Sequence, residues 1–194
     1  MQYLSVWKRI SMLQPVFTPF PELETERLLL RRIVMEDAPE IFFLRSDATV
    51  LQFLSKEPAA TIKEAEDFIL RINNDIAGNE GIMWAIVLKE APDKAIGSIC
   101  FWRMVKENYR AEIGYVLNPQ YWRKGMMKET IRKVLDYGFN TMGLHSVEAR
   151  INPHNTASAS VLESTGFVKE AYFKEDFFYR EKFEDTAVYS RLNK

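Results

Sequence analysis

Between Glu112 and Phe167 the chain twice runs strand, turn, helix, and this order restricts it to a mixed α/β or α+β domain. The first strand reads Ala111-Glu112-Ile113-Gly114-Tyr115-Val116-Leu117 and stops at Asn118-Pro119, since proline cannot donate to a sheet ladder. The turn Tyr121-Trp122-Arg123-Lys124-Gly125-Met126-Met127 then opens an amphipathic helix. Met127, Ile131, Val134, Leu135, Gly138, Phe139 and Met142 recur at three- and four-residue spacing, with Lys128, Glu129, Arg132, Lys133 and Asp136 elsewhere on the wheel. That stripe faces a core and supports the turn before it. A second strand, His145 to Ile151, leads through Asn155-Thr156-Ala157-Ser158 into a short helix ending at Gly166-Phe167.

The turn carries the first chemistry. Gly125 lets the backbone approach a ligand closely, and the unpaired N–H groups from Lys124 to Lys128 point outward. Arg123, Lys124 and Lys128 add positive charge, so strand end, basic turn and helix start form an anion cradle. An ordinary strand-to-helix turn with solvated basic residues fits the same residues. Asn155 is placed as an N-cap, which puts Ser158 at the third helical position. A capping box prefers Glu or Gln there, so capping explains Asn155 better than Ser158.

Elsewhere the pattern alternates. Arg27 to Arg31 reads as a strand, and helices cover Ala38 to Leu44 and Thr61 to Ala77. Thr61 with Glu64 has capping-box spacing, and Gly78 is placed as a C-terminal cap. Met83 to Leu88 and Ala95 to Met104 read as strands around a turn at Ala91-Pro92-Asp93-Lys94; Val168 to Phe173 and Thr186 to Leu192 close the chain as strands. The 194 residues suit one domain, and a formal charge of −1 is not that of a nucleic-acid binder. Cys100, the only cysteine, reads as a core residue, and His145 and His154 lack a cysteine or carboxylate cluster to make a metal site. The apolar residues of Met1 to Pro21, Trp7 among them, are interrupted by Lys8, Arg9 and Gln14, so no membrane span is expected and the cytoplasm is the default compartment. They are expected to pack on the body or on a second subunit.

The runs Glu112 to Pro119 and Tyr121 to Gly125, then Asn155-x-x-Ser158 with Gly166-Phe167, resemble the GNAT acetyltransferase superfamily. The opening Glu24-Thr25-Glu26-Arg27-Leu28-Leu29-Leu30-Arg31 narrows the resemblance to the branch of ribosomal-protein N-terminal (alanine or serine) acetyltransferases. The resemblance spans Pro21 to Leu192. It implies a central mixed, mostly antiparallel twisted sheet of about seven strands flanked by about four helices. Residues 1–20 then form an N-terminal extension and residues 21–194 a single domain. The implied cofactor is acetyl-coenzyme A, with coenzyme A as product, and the implied reaction is direct transfer of the acetyl group to a primary amine in a ternary complex. By the same resemblance the pyrophosphate lies on the turn, here Trp122, Arg123, Lys124, Gly125, Met126, Met127 and Lys128. The pantetheine arm runs beside Tyr115, Val116 and Leu117, and Asn155 and Ser158 line the far side near the sulfur.

Two positions depart from the family pattern. Trp122 and Met127 fill the first and last places of a turn often written Arg/Gln-x-x-Gly-x-Gly/Ala, leaving their amides available. Leu162 stands where many relatives carry a tyrosine that protonates the leaving thiolate, so Ser158 becomes the candidate, hydrogen-bonding the thiolate or relaying through water. A backbone N–H near Val116 or Leu117 is expected to hold the thioester carbonyl oxygen. Glu112 has two readings: the general base, or an edge residue facing water or pairing with Arg103 or Arg150. A terminal α-amine, with a pKa of about 7.7–8.0, is unprotonated far more often at neutral pH than lysine, near 10.4, and suits a modest base. The expected acceptor is therefore a protein or peptide N-terminal amine. The alternatives are a small amine (amino acid, polyamine or antibiotic) or a non-catalytic coenzyme A-binding or interaction protein. Acceptor selectivity is expected in Val50 to Met83 and Phe173 to Asp185, with Phe177, Phe178 and Tyr179 as an aromatic wall or a packed hairpin. No direct nucleic-acid or membrane partner is expected, and the protein is a monomer or homodimer.

Overall fold

The computed structural model describes residues 12–194; the expectations for Trp7, Lys8 and Arg9 lie outside the described residues. Eight strands form one sheet in the order β1-β2-β3-β4-β5-β6-β8-β7. They are β1 (Leu23–Glu24), β2 (Leu28–Arg32), β3 (Ile82–Leu88), β4 (Ala91–Val105), β5 (Arg110–Leu117), β6 (Ser146–Ile151), β7 (Val168–Tyr179) and β8 (Lys182–Leu192). Every neighbouring pair is antiparallel except β5 and β6. The helices are α1 (Ala38–Ser46), α2 (Ala48–Leu51), α3 (Ile62–Ala77), α4 (Met126–Asp136) and α5 (Thr156–Ser164). The mixed, mostly antiparallel sheet matches the expectation, with one strand more than expected.

Strand alternation divides the interior into two layers. Trp84, Ile86, Ile99, Phe101, Ala111 and Ile113 face α4 and α5, whereas Ala85, Val87 and Ala95 face α1 and α3. Trp84 is fully buried, meets Phe20, Phe101 and Tyr137 edge-on, and donates its indole N–H to the Pro21 carbonyl at 2.7 Å. Burying such a ring contributes about 1.5–3 kcal/mol, provided its polar atom finds a partner, as it does here. Leu13 and Phe17 join the same core, so the described part of the N-terminal extension packs on the body.

Several boundaries differ from the sequence reading. The turn between β3 and β4 is Lys89-Glu90, not Ala91 to Lys94: Ala91 already pairs with Leu88. Pro92 is tolerated because it lies in the exposed first residues of β4, next to a register shift. Thr61 starts α3 without a side-chain cap bond, and Glu64 accepts from Ala60 N–H instead of closing a box. Gly78 ends α3 in a right-handed conformation, and Asn79 takes the left-handed turn. Helix α4 stops at Asp136 and runs into a wide π turn, Tyr137 to Thr141, in which Gly138 lies against Phe101. The last hairpin is longer than expected because Arg180 and Glu181, both with positive φ, close it without glycine or asparagine.

Candidate active site

Strands β5 and β6 pair over three positions only, the last being Glu112 opposite Glu148. Beyond it Ile113 to Leu117 stay on β4 while Ala149 to Ile151 stay on β8, so the sheet opens between them. The phase of the β4–β5 ladder decides which groups face that gap. Asn118 N–H donates to the Ile96 carbonyl at 2.8 Å, and the register carries this phase along the strand. Glu112, Gly114 and Val116 therefore turn their amides to β4, and Ile113, Tyr115 and Leu117 turn theirs into the opening. Of the two amides expected for an oxyanion, Leu117 faces the gap and Val116 does not. The Leu117 carbonyl already accepts the Trp122 indole N–H at 2.7 Å.

The anion cradle lies at the end of the same strand. Arg123 and Gly125 adopt positive φ, 58° and 77°, which turns the chain sharply into α4. The amides of Met126, Met127 and Lys128 have no helical carbonyl before them, the first bond of the helix running from Glu129 N–H to the Gly125 carbonyl. Arg123, Lys124 and Gly125 are exposed, while the Met126 side chain is buried and anchors the helix start. Trp122 departs from the expectation: its N–H is bonded to the Pro119 carbonyl. Arg27, read from sequence as a strand residue, straps the turn. Its guanidinium donates to the Lys124 carbonyl at 3.0 Å and to Glu129 at 2.6 and 2.8 Å.

The two catalytic candidates occupy opposite faces of the opening. Glu112 faces the α1/α3 side, in a cavity of about 1090 Å³ that reaches from β5 to the β7–β8 hairpin. Burial pushes its carboxyl above the ordinary glutamate value, and Arg103, 3.3 Å away, opposes that shift. Glu112 pairs with the exposed Arg103, one of the two partners expected of it, and its side chain is largely buried beside the gap. On the α4/α5 side, Asn155 caps α5 by accepting Ser158 N–H at 3.0 Å. Ser158 Oγ lies 2.7 Å from the Tyr115 hydroxyl, and burial holds that phenol well above its usual range. Leu162 is fully buried in the core and presents nothing to the opening. The Tyr115–Ser158 pair was missed from sequence because alternation gives the face of Tyr115 but not a partner 43 residues away. Cys100 is buried as expected, its thiol pushed up to about 12 by burial, and it borders the cavity beside Gly114.

A free row of strand amides leading to a basic turn and a helix N-terminus suits an extended diphosphate ligand. The profile of the acetyltransferase (GNAT) domain matches residues 27–168. The chain belongs to the GNAT acetyltransferase family. It is an N-acetyltransferase, and acetyl-coenzyme A is its acetyl donor. The uncharacterized N-acetyltransferase p20 of Bacillus licheniformis is 34% identical over 172 residues, covering 89% of this chain and 96% of that one. A ribosomal-protein-S5-alanine acetyltransferase from Vibrio fischeri superposes with a TM-score of 0.79 at 26% identity, covering 89% of this acetyltransferase and 97% of its own chain. A spermidine N-acetyltransferase from Vibrio cholerae, solved with CoA and spermine, shares the fold with a TM-score of 0.76 at 23% identity, over 87% of this chain and 96% of that one. Among the described residues, no helix of the acetyltransferase is long and apolar enough to cross a membrane.

Proposed function

We propose that the enzyme acetylates the α-amine of a peptide or protein N-terminus. The observation that carries this reading is the state of the carboxylates on the cavity wall. Glu112 is answered by Arg103, Glu148 by Arg110 and Arg150, and Asp176 by Arg150. Glu184 accepts from Ser55, Asp185 from Tyr172, and Glu80 is answered by Lys106, which leaves the exposed Asp75 on α3 as the wall carboxylate with neither an ion pair nor a side-chain bond among the described residues. A polyamine needs several unclaimed carboxylates, because a buried cation without a counter-charge is costly. An α-amine needs only one modest base. The Vibrio fischeri relative acts, by its name, on a ribosomal protein, which is the same acceptor class.

Acetyl-coenzyme A supplies the thioester, and the protein supplies the proton handling around it. Glu112 in its ionised form takes the proton of the incoming amine directly or through one water. The Leu117 N–H faces the opening, where the thioester oxygen gathers charge. Arg123 to Lys128 hold the diphosphate, and Asn155 fixes Ser158 at the opposite wall. With its phenol raised by burial, Tyr115 stays neutral at working pH; it steadies Ser158, and the pair hydrogen-bonds the departing sulfur. Ser158→Ala and Tyr115→Phe are each expected to lower kcat about tenfold with little change in acceptor KM, read by thiol release. Full kcat in both variants would remove the pair from the mechanism.

The acceptor class is tested by incubating the enzyme and acetyl-coenzyme A with alanine- and serine-ended peptides, amino acids and spermidine, with products identified by mass spectrometry. The expected result is α-N-acetyl peptide with kcat/KM well above that for spermidine. Turnover of spermidine or amino acids alone, with no peptide product, overturns the reading.

A further inference from the structure

Among the described residues, three cations on the cavity wall have no carboxylate within ion-pair distance. Arg45 on α1, Lys56 in the segment after α2, and Arg71 on α3 all border the cavity that holds Glu112. Among the described residues none of the three enters an ion pair, in contrast to Arg103, Arg110 and Arg150 on the opposite wall. Arg45 Nε is buried and has no hydrogen-bond partner among the described residues. The guanidiniums of Arg45 and Arg71 both stack on the Phe68 ring, at 4.1 and 5.3 Å from its centroid, and the Lys56 ammonium lies 5.9 Å from that of Trp102. Stacking on a ring fixes the guanidinium plane and leaves its N–H edge free for a planar anion.

The cations are close enough to oppose one another. Burial lowers Arg45 and Lys56 first, and Arg71 lowers both further, while Glu112 acts on Lys56 in the opposite sense. Lys56 is thus coupled to the two arginines and to Glu112 alike. Arg45 is half-buried with Glu64 opposing its shift, whereas Lys56 and Arg71 reach solvent at the cavity rim. Crowding like charges around a partly buried one is unfavourable, and a bound anion relieves it. We propose that Arg45, Lys56 and Arg71 form a carboxylate subsite that selects acceptors carrying an acidic group near the reacting amine. Given the N-terminal acceptor proposed above, on which this rests, the ligand is a peptide with Asp or Glu among its first few residues. The amine sits at Glu112 and the acidic side chain meets the three cations.

The test compares two peptides of equal length and identical first residue, one with Asp and Glu at positions two to four and the other with Asn and Gln. The expected kcat/KM is about tenfold or more higher for the acidic peptide, the gain falling mainly in KM, as for one charge-assisted contact. The ratio is expected to collapse toward one in Lys56→Gln and in Arg71→Gln, and to survive in Lys56→Arg, with melting curves showing that each variant is folded. Equal kcat/KM for the two peptides, or a ratio that persists in both glutamine variants, overturns the subsite. A second arm uses dipeptides as free acids and as C-terminal amides. If no longer peptide is acetylated but free acids exceed amides about tenfold, the carboxylate subsite stands and the peptide reading fails. If acids and amides are equal in that arm as well, the subsite is wrong.

Discussion

Glu112→Gln is expected to lower kcat/KM about a hundredfold or more while the folded protein melts no earlier than the wild type. The two halves of this result have one cause. Burial raises the Glu112 carboxyl, so the folded protein disfavours its ionised form relative to the unfolded chain. For a group raised on folding, the stability it contributes is present below its unfolded pKa and is lost as pH climbs through the raised folded value. Wherever it is ionised the side chain is therefore a cost, which an uncharged glutamine of the same shape removes. Arg103 loses its partner but is 62% exposed and stays solvated. The pH profile separates a base from a structural residue. In the wild type kcat/KM rises with pH as Glu112 ionises, above the ordinary glutamate range. In Glu112→Gln that lower limb vanishes, and only the acceptor's own titration near about 8 remains. A variant that keeps the lower limb, or keeps its rate, takes Glu112 out of the chemistry.

Gly97→Ala is expected to cost about 3 kcal/mol of stability and to lower Tm by roughly 6–12 °C, with weaker binding of acetyl-coenzyme A. Gly97 lies at the register shift where Ile86 pairs with Gly97 and Val87 with Ala95, leaving Ile96 as the extra residue. An added Cβ would sit 2.5 Å from the Val116 carbonyl oxygen and 3.1 Å from Leu117 Cα. Both contacts are backbone, so no side-chain rotation relieves them. The end of β5 must move, and it carries the Leu117 amide and the carbonyl that holds Trp122. Thermal melting measures the first effect, and titration with acetyl-coenzyme A the second. Unchanged melting would show that β4 can flatten its bulge without disturbing β5.

The parts of this site that follow from local chain chemistry were legible in the sequence. Pro119 ends a strand, Gly125 sits in the turn that opens a helix, and Asn155 caps a helix because each acts within a few residues of itself. The central helix was legible over its first three turns but not in its ending, since the π turn at Tyr137 to Thr141 depends on how Gly138 meets Phe101. Pro92 was read as a turn although it lies in a strand, because its missing N–H matters only where a neighbour would accept it. The hairpin tip at Arg180-Glu181 lacks the usual turn residues and is held from outside: Tyr179 donates to the Lys56 carbonyl, and Arg180 pairs with Glu57. Contacts between distant segments, such as Tyr115 with Ser158 or Arg45 on α1 with Phe68 on α3, leave no periodic trace. The donor side of the site is built mostly from short-range rules, and the acceptor side from long-range ones.

Arg27 joins a strand near the start of the chain to a turn 97 residues further on. Its backbone N–H also donates to Glu129, so the β2 end and the first turn of α4 share one carboxylate. A diphosphate on the turn amides, as proposed, would draw on backbone that this carboxylate helps to position. On the proposed placement of the donor, fraying of the β1–β2 edge and loss of the donor are linked, and a saturating donor is expected to protect a strand that it never touches.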